Sequence, residues 1–183
     1  KGNAKLIGII AIVAVIAVVV FFMFFTRSAK ATVKDYVKAM EDCDAKKVMA
    51  LMDVEGAGAM SSIAKFSYSD DSVSFEFGKF EENYDKIMEE MDKMDGDKKK
   101  QYDEMLKKSE EDMQKELDEM KKEKIKYTVK DIETEKVKDC KKLTKVTCDI
   151  QMKNDEHEYT MENVEFYTMK KGMKNYIVYS TMA

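Results

Sequence analysis

The chain has one histidine, His157, set between Glu156 and Glu158 beside Asn154-Asp155, and that placement limits the chemistry available. A zinc site needs three or four converging His, Cys or carboxylate ligands, and a helical His-Glu-x-x-His pair needs a second histidine. Serine or cysteine nucleophiles need a base within hydrogen-bond reach, and a histidine in a polar turn is poorly placed to serve one. Asp95-Gly96-Asp97 has the look of a calcium loop. Aligning Gly96 with the glycine of such a loop puts Met91, Lys93 and Tyr102 at ligand positions, so the motif fails. No glycine-rich phosphate loop or dinucleotide fingerprint occurs either. The expectation is a protein with no catalytic residue, no metal and no cofactor.

Three cysteines remain. Cys43 falls at the junction of two predicted helices, Cys140 in a turn and Cys148 in a strand, where it shares the phase of Val146 and Ile150 and faces the core. In an oxidising compartment one disulfide among the three is expected, with a pairing that spacing leaves open. Sixteen methionines could suggest soft-metal chemistry. Met88, Met91, Met105, Met113 and Met120 instead follow helical faces, which is the pattern of core filling.

These residues sit in a chain with two contrasting parts. Residues 6–25 contain no charged, amide or hydroxyl side chain. At ~1.5 Å per residue, about 20 residues span a bilayer core of ~30 Å, so a transmembrane helix is predicted there, anchored by residues such as Leu6, Ile7, Ile16, Val20, Phe21 and Phe25. Ala29-Lys30-Ala31 also fits the small-x-small pattern of a cleaved export signal, but the apolar run is longer than an ordinary signal core. Lys1 and Lys5 before the run balance Arg27, Lys30 and Lys34 after it. A short basic start followed by a long apolar run behaves as an export signal, so residues 1–5 are expected in the cytosol and the rest outside it. The predicted location is the cell membrane, single-pass, with an extracytoplasmic domain. The formal net charge is −4, and Lys1 and Lys5 belong to the start, so the rest is more acidic still. No nucleic-acid surface is expected from such a balance.

Beyond a linker over residues 26–31, the pattern predicts one domain over residues 32–183. Val33, Tyr36, Val37 and Met40 keep a helical period with Thr32 and Asp35 as a capping pair. Asp44 caps a short second helix with Val48, Leu51 and Met52 inward, ended by Gly56 and Gly58. Val73, Phe75 and Phe77 alternate as a strand. A helical hairpin over residues 80–124 breaks at Asp95-Gly96-Asp97. Its second arm is laced with Asp103–Lys107, Glu104–Lys108, Glu111–Lys115 and Asp118–Lys122 pairs, and the heptad spacing of Leu106, Met113 and Met120 would suit a homo-oligomer contact. After Lys124, alternating segments turn at Lys141-Lys142, Asn154-Asp155 and Lys171-Gly172. They predict an antiparallel meander of four strands with a bulge near Asn163. Helices followed by sheet point to an α+β domain.

Tyr36-Val37-Lys38-Ala39-Met40, then Asp44-Ala45-Lys46-Lys47-Val48 and Leu51-Met52, then a helix and a meander ending in Tyr176-Ile177-Val178-Tyr179, resemble the cystatin-like, nuclear-transport-factor-2-like superfamily over residues 32–180. The likeness is closest to membrane-anchored bacterial envelope proteins. It implies a cone of helices packed on a curved antiparallel sheet, with the hairpin over residues 80–124 as a charged insertion. Enzymes built on such a cone place an acid or base in a pocket between sheet and helices, so the resemblance marks Tyr127, Tyr159, Tyr167 and Tyr176 as candidate pocket lining. The expected function is a membrane-tethered, non-enzymatic binding domain for a small ligand, a peptide or an envelope protein. The alternatives are a self-associating structural subunit of an envelope complex and a lyase or isomerase using the cone pocket.

Overall fold

The computed structural model describes residues 26–68 and 72–182. Ser28 opens the first helix, α1 (Ala29–Glu41), by accepting a hydrogen bond from the Ala31 amide at 3.2 Å. The expected start near Thr32 is therefore one turn late. Thr32 is fully buried inside the helix, where its hydroxyl donates to the carbonyls of Ser28 and Asn175, so it joins the helix to the sheet rather than capping it.

Asp44 caps α2 (Ala45–Ala50) as its sequence position implies. Asp53 then caps α3 (Val54–Ile63), which runs through both glycines expected to end a helix. The physical reason lies in packing. A Cβ at Gly56 would stand 2.5 Å from Val178 Cγ1, so glycine is there for close approach to the sheet. A small hairpin follows, with β1 (Ala64–Phe66) antiparallel to β2 (Val73–Phe75). Next come α4 (Phe80–Asp92) and, after an Asp95 cap, the long α5 (Gly96–Met120).

The second sheet has four antiparallel strands in sequence order: β3 (Lys126–Lys136), β4 (Leu143–Lys153), β5 (Glu158–Lys171) and β6 (Lys174–Ser180). The meander and its turns match the sequence reading. So does the bulge: Asn163 takes φ 54° where the register of β4 and β5 shifts between Cys148 and Ile150. Asp131 does the same at a second shift, in β3.

Two apolar clusters hold the layers together. Val33 and Val37 of α1 pack on Val146, Cys148, Ile150, Val164, Phe166 and Ile177. Ala59, Met60 and Ile63 of α3 and Phe80 and Tyr84 of α4 pack on Leu143, Tyr167, Met169 and Val178. Phe166 and Tyr167 are neighbours in sequence yet belong to different clusters, as do Ile177 and Val178. This end of β5 and β6 is thus buried on both faces.

One expectation is corrected. No helix among the described residues is long and apolar enough to cross a membrane. The longest, α5, has 25 residues but carries charge along most of its length and buries only Leu117. The described fold is an α+β domain of helices on a four-stranded antiparallel sheet, without a transmembrane helix. The predicted span, with Leu6, Ile7, Ile16, Val20, Phe21 and Phe25, lies outside the described residues. The ion pairs expected along α5 do not close either: Lys115 pairs with Asp112 at 3.1 Å, and Asp118 accepts from the Gln114 amide.

Candidate functional site

The four tyrosines marked as pocket lining do not share a pocket. Tyr127 is half-buried at the start of β3, beside Glu41 and Cys43. Tyr159 is 62 % exposed and sits near His157 in the β4–β5 turn. Tyr167 is core, ringed by Phe75, Phe77 and Tyr179 at centroid distances of 5.3–6.0 Å. Tyr176 lies under the Arg27 guanidinium at 4.9 Å. Strand alternation and the separate ends of the sheet disperse them. His157 is exposed, and its backbone amide donates to Asn154 Oδ1, the ordinary bond of an Asx turn. No group of three or more His, Cys, Asp or Glu among the described residues could hold a metal ion.

All three cysteines are free thiols. Cys140 and Cys148 are buried, and burial pushes both thiols up, Cys148 to about 11. Cys43 differs, being half-buried in a left-handed residue (φ 52°) that ends α1. It borders a hollow of about 440 Å³ with Glu41 and Tyr127. Glu41 accepts from Lys38 and from the Tyr127 amide, and the two bonds hold its carboxyl below the ordinary range. Gln114 of α5 closes the corner by donating to the Cys43 carbonyl and accepting from the Ala45 amide, both at 2.9 Å. Since the thiolate is the reactive form, a maleimide at neutral pH should modify one thiol per native chain, Cys43, and three only in denaturant. Three fast thiols in the native protein would contradict this burial.

Sequence reasoning missed two polar clusters. In the first, Asp53 is 5 % exposed and accepts from the Gly56 amide and from Lys171 Nζ, each at 2.6 Å. Tyr84 lies close enough for that pair to act on its phenol, which burial chiefly raises. Tyr102 of α5 donates to Glu55 at 3.3 Å nearby. The only sequence signal was an Asp three residues before a glycine, with its lysine partner more than a hundred positions away. Every buried side-chain N or O among the described residues has a hydrogen-bond partner, and the Asp53 cluster therefore reads as a joint between α3 and the sheet.

The second cluster is a hollow of about 660 Å³ where the described chain begins. It is walled by Arg27 before α1, Lys136 at the end of β3, Lys141 and Lys142 in the β3–β4 turn, and Lys170 near the end of β5. Ser28 and Ala29 bring the N-terminus of α1 to its edge, and no carboxylate among the described residues lines it. Arg27 is held in place: its guanidinium donates to the Asn175 carbonyl and to Thr32, while the Asn175 side chain donates back to the Arg27 carbonyl. The ion pairs among the described residues occur elsewhere, and none takes Lys136, Lys141, Lys142 or Lys170. Residues so far apart in sequence meet because two hairpin turns and the entry to α1 fall at one end of the sheet. Comparison of the chain with protein-family models, with curated proteins and with solved structures gives no match.

Proposed function

We propose that this protein is a non-enzymatic, extracytoplasmic binding domain whose recognition surface is the basic hollow between α1 and the ends of β3–β5. The observation that carries this reading is the charge of that hollow: among the described residues five cations and no acid line it, on a chain of net charge −4. A concave surface that gathers cations, with no acid among the described residues to offset them, favours an anionic ligand. The extracytoplasmic placement rests on the uncharged apolar run of residues 6–25, whose composition suits an export segment. The lyase or isomerase alternative lacks comparable support, since the four tyrosines point to separate places. Self-association has one observation in its favour: only Leu117 is buried along α5, and Met105 on that helix is 53 % exposed.

The test is retention of the full chain on immobilised polyglutamate. Retention is expected at low ionic strength and release at about 0.3 M salt, because exposed charges are screened over a few ångströms there. Replacing Lys141 and Lys170 by glutamate should abolish retention. Equal retention of that variant would remove the hollow as the recognition surface.

A further inference from the structure

We infer that the basic hollow is a phosphate site, made for the phosphate of a lipid headgroup or of a free phosphorylated compound. This rests on the anion-binding reading above and narrows it. Four lysines line one volume with no ion-pair partner among the described residues. Lys142 Nζ also lies over the Tyr84 ring at 5.6 Å, and Lys136, Lys141 and Lys170 remain, more positive charge than a single carboxylate can answer. A phosphate offers up to two negative charges and several acceptor oxygens, and lysine ammonium groups bind it as point charges from several directions. The backbone supplies a second kind of donor at the same edge. The amides of Ala29 and Lys30 have no acceptor among the described residues, and the first turn of the 13-residue α1 contains no acid. The side chains thus do the gathering, and the helix end adds N–H groups aimed where an anion would rest.

At about 660 Å³ the hollow exceeds what a bare phosphate fills, leaving room for the group that bears it. Arg27 does not contribute a fork, because its guanidinium is engaged by Asn175 and Thr32; it fixes the wall instead. Thr26 also lines the hollow.

The experiment has two arms on the full chain. One is calorimetric titration with pyrophosphate; the other is co-flotation with phosphatidylglycerol vesicles against phosphatidylcholine vesicles. Two double variants accompany the native chain: Lys141→Glu with Lys170→Glu in the hollow, and Lys107→Glu with Lys108→Glu on α5, which change net charge equally. All four lysines are exposed, so both variants should fold, and their thermal melts verify this. Either pyrophosphate binding or a preference for phosphatidylglycerol is expected, weakened about tenfold or more by the hollow variant and unchanged by the α5 variant. Pyrophosphate binding identifies a free phosphorylated compound, and preference for the anionic vesicle alone identifies the lipid. Absence of binding in both arms overturns the inference, as does equal loss in the two variants. A chain that still binds polyglutamate while ignoring phosphate in both forms loses this inference but keeps the anion-binding reading; one that binds neither loses both.

Discussion

Truncating Phe166 to alanine is expected to cost about 3–5 kcal/mol, enough to leave a domain of ordinary stability marginally folded. Phe166 is fully buried in β5, paired with Val146 on one side and Ser180 on the other. Its ring meets Tyr36 of α1 edge-to-face at 5.9 Å, and with Val33 and Val37 it joins α1 to the sheet. The loss is of two kinds: the transfer free energy of the ring, and the cavity that β4, β5 and α1 cannot close because hydrogen-bond registers fix their spacing. Urea denaturation measures the total. Cys148, buried in the same cluster, reports where the damage falls. Its modification should accelerate in the variant in proportion to the population of opened molecules, while Cys43 reacts at its native rate. An unchanged Cys148 rate with lowered stability would mean that the cluster does not open as a unit.

The elements that were legible in the sequence are those whose signal is local. Val146, Cys148 and Ile150 announce a half-buried strand by alternation alone, Asp44 announces a cap by standing before a helical period, and Asp95-Gly96-Asp97 announces the break between two helices. The phase slip near Asn163 is also local, and it correctly marks the bulge. The failures came where a residue answers to something distant. Gly56 reads as a helix end until Val178, far along the chain, is seen to occupy the space of its missing side chain. Thr32 reads as a cap until its hydroxyl is found bonded to Asn175. The tyrosines shared a residue type but not a location, since strand membership fixes a face and not which end of the sheet a side chain reaches. The basic hollow was invisible for the same reason. Lys136, Lys141 and Lys170 belong to three segments whose closeness is a property of the meander, and in the sequence they look like the solvated lysines of turns.

Lys170 and Lys171 show how the fold assigns opposite roles to adjacent residues, and Asp53→Ala is the second large effect expected. The carboxylate caps α3 through the Gly56 amide and binds Lys171, and the Asp53 amide donates to the Ile177 carbonyl of β6 at 2.9 Å. Loss of the cap costs about 1 kcal/mol. Loss of a charge-assisted bond costs about 1.5–3 kcal/mol, reduced here because Lys171 is 43 % exposed and regains water. The sum is about 2 kcal/mol, a fall in Tm of roughly 4–8 °C for a domain of this size. Burial of Lys171 opposes its charge, yet the hydrogen bond and field of Asp53 outweigh it and raise the ammonium above its ordinary value. A lysine raised in the folded state stabilises fully below the unfolded pKa of about 10.4 and ceases to do so as pH rises through the folded value. Native stability should therefore fall above about pH 10.4, and Asp53→Asn, which can still cap, should lack that component. Lys171→Met should be more damaging than Asp53→Asn at neutral pH, because it strands a carboxylate that is 5 % exposed. If the two variants were equally stable, the pair would matter only as a cap. Neither change touches Lys170, which faces the hollow without a partner, so anion binding should survive both.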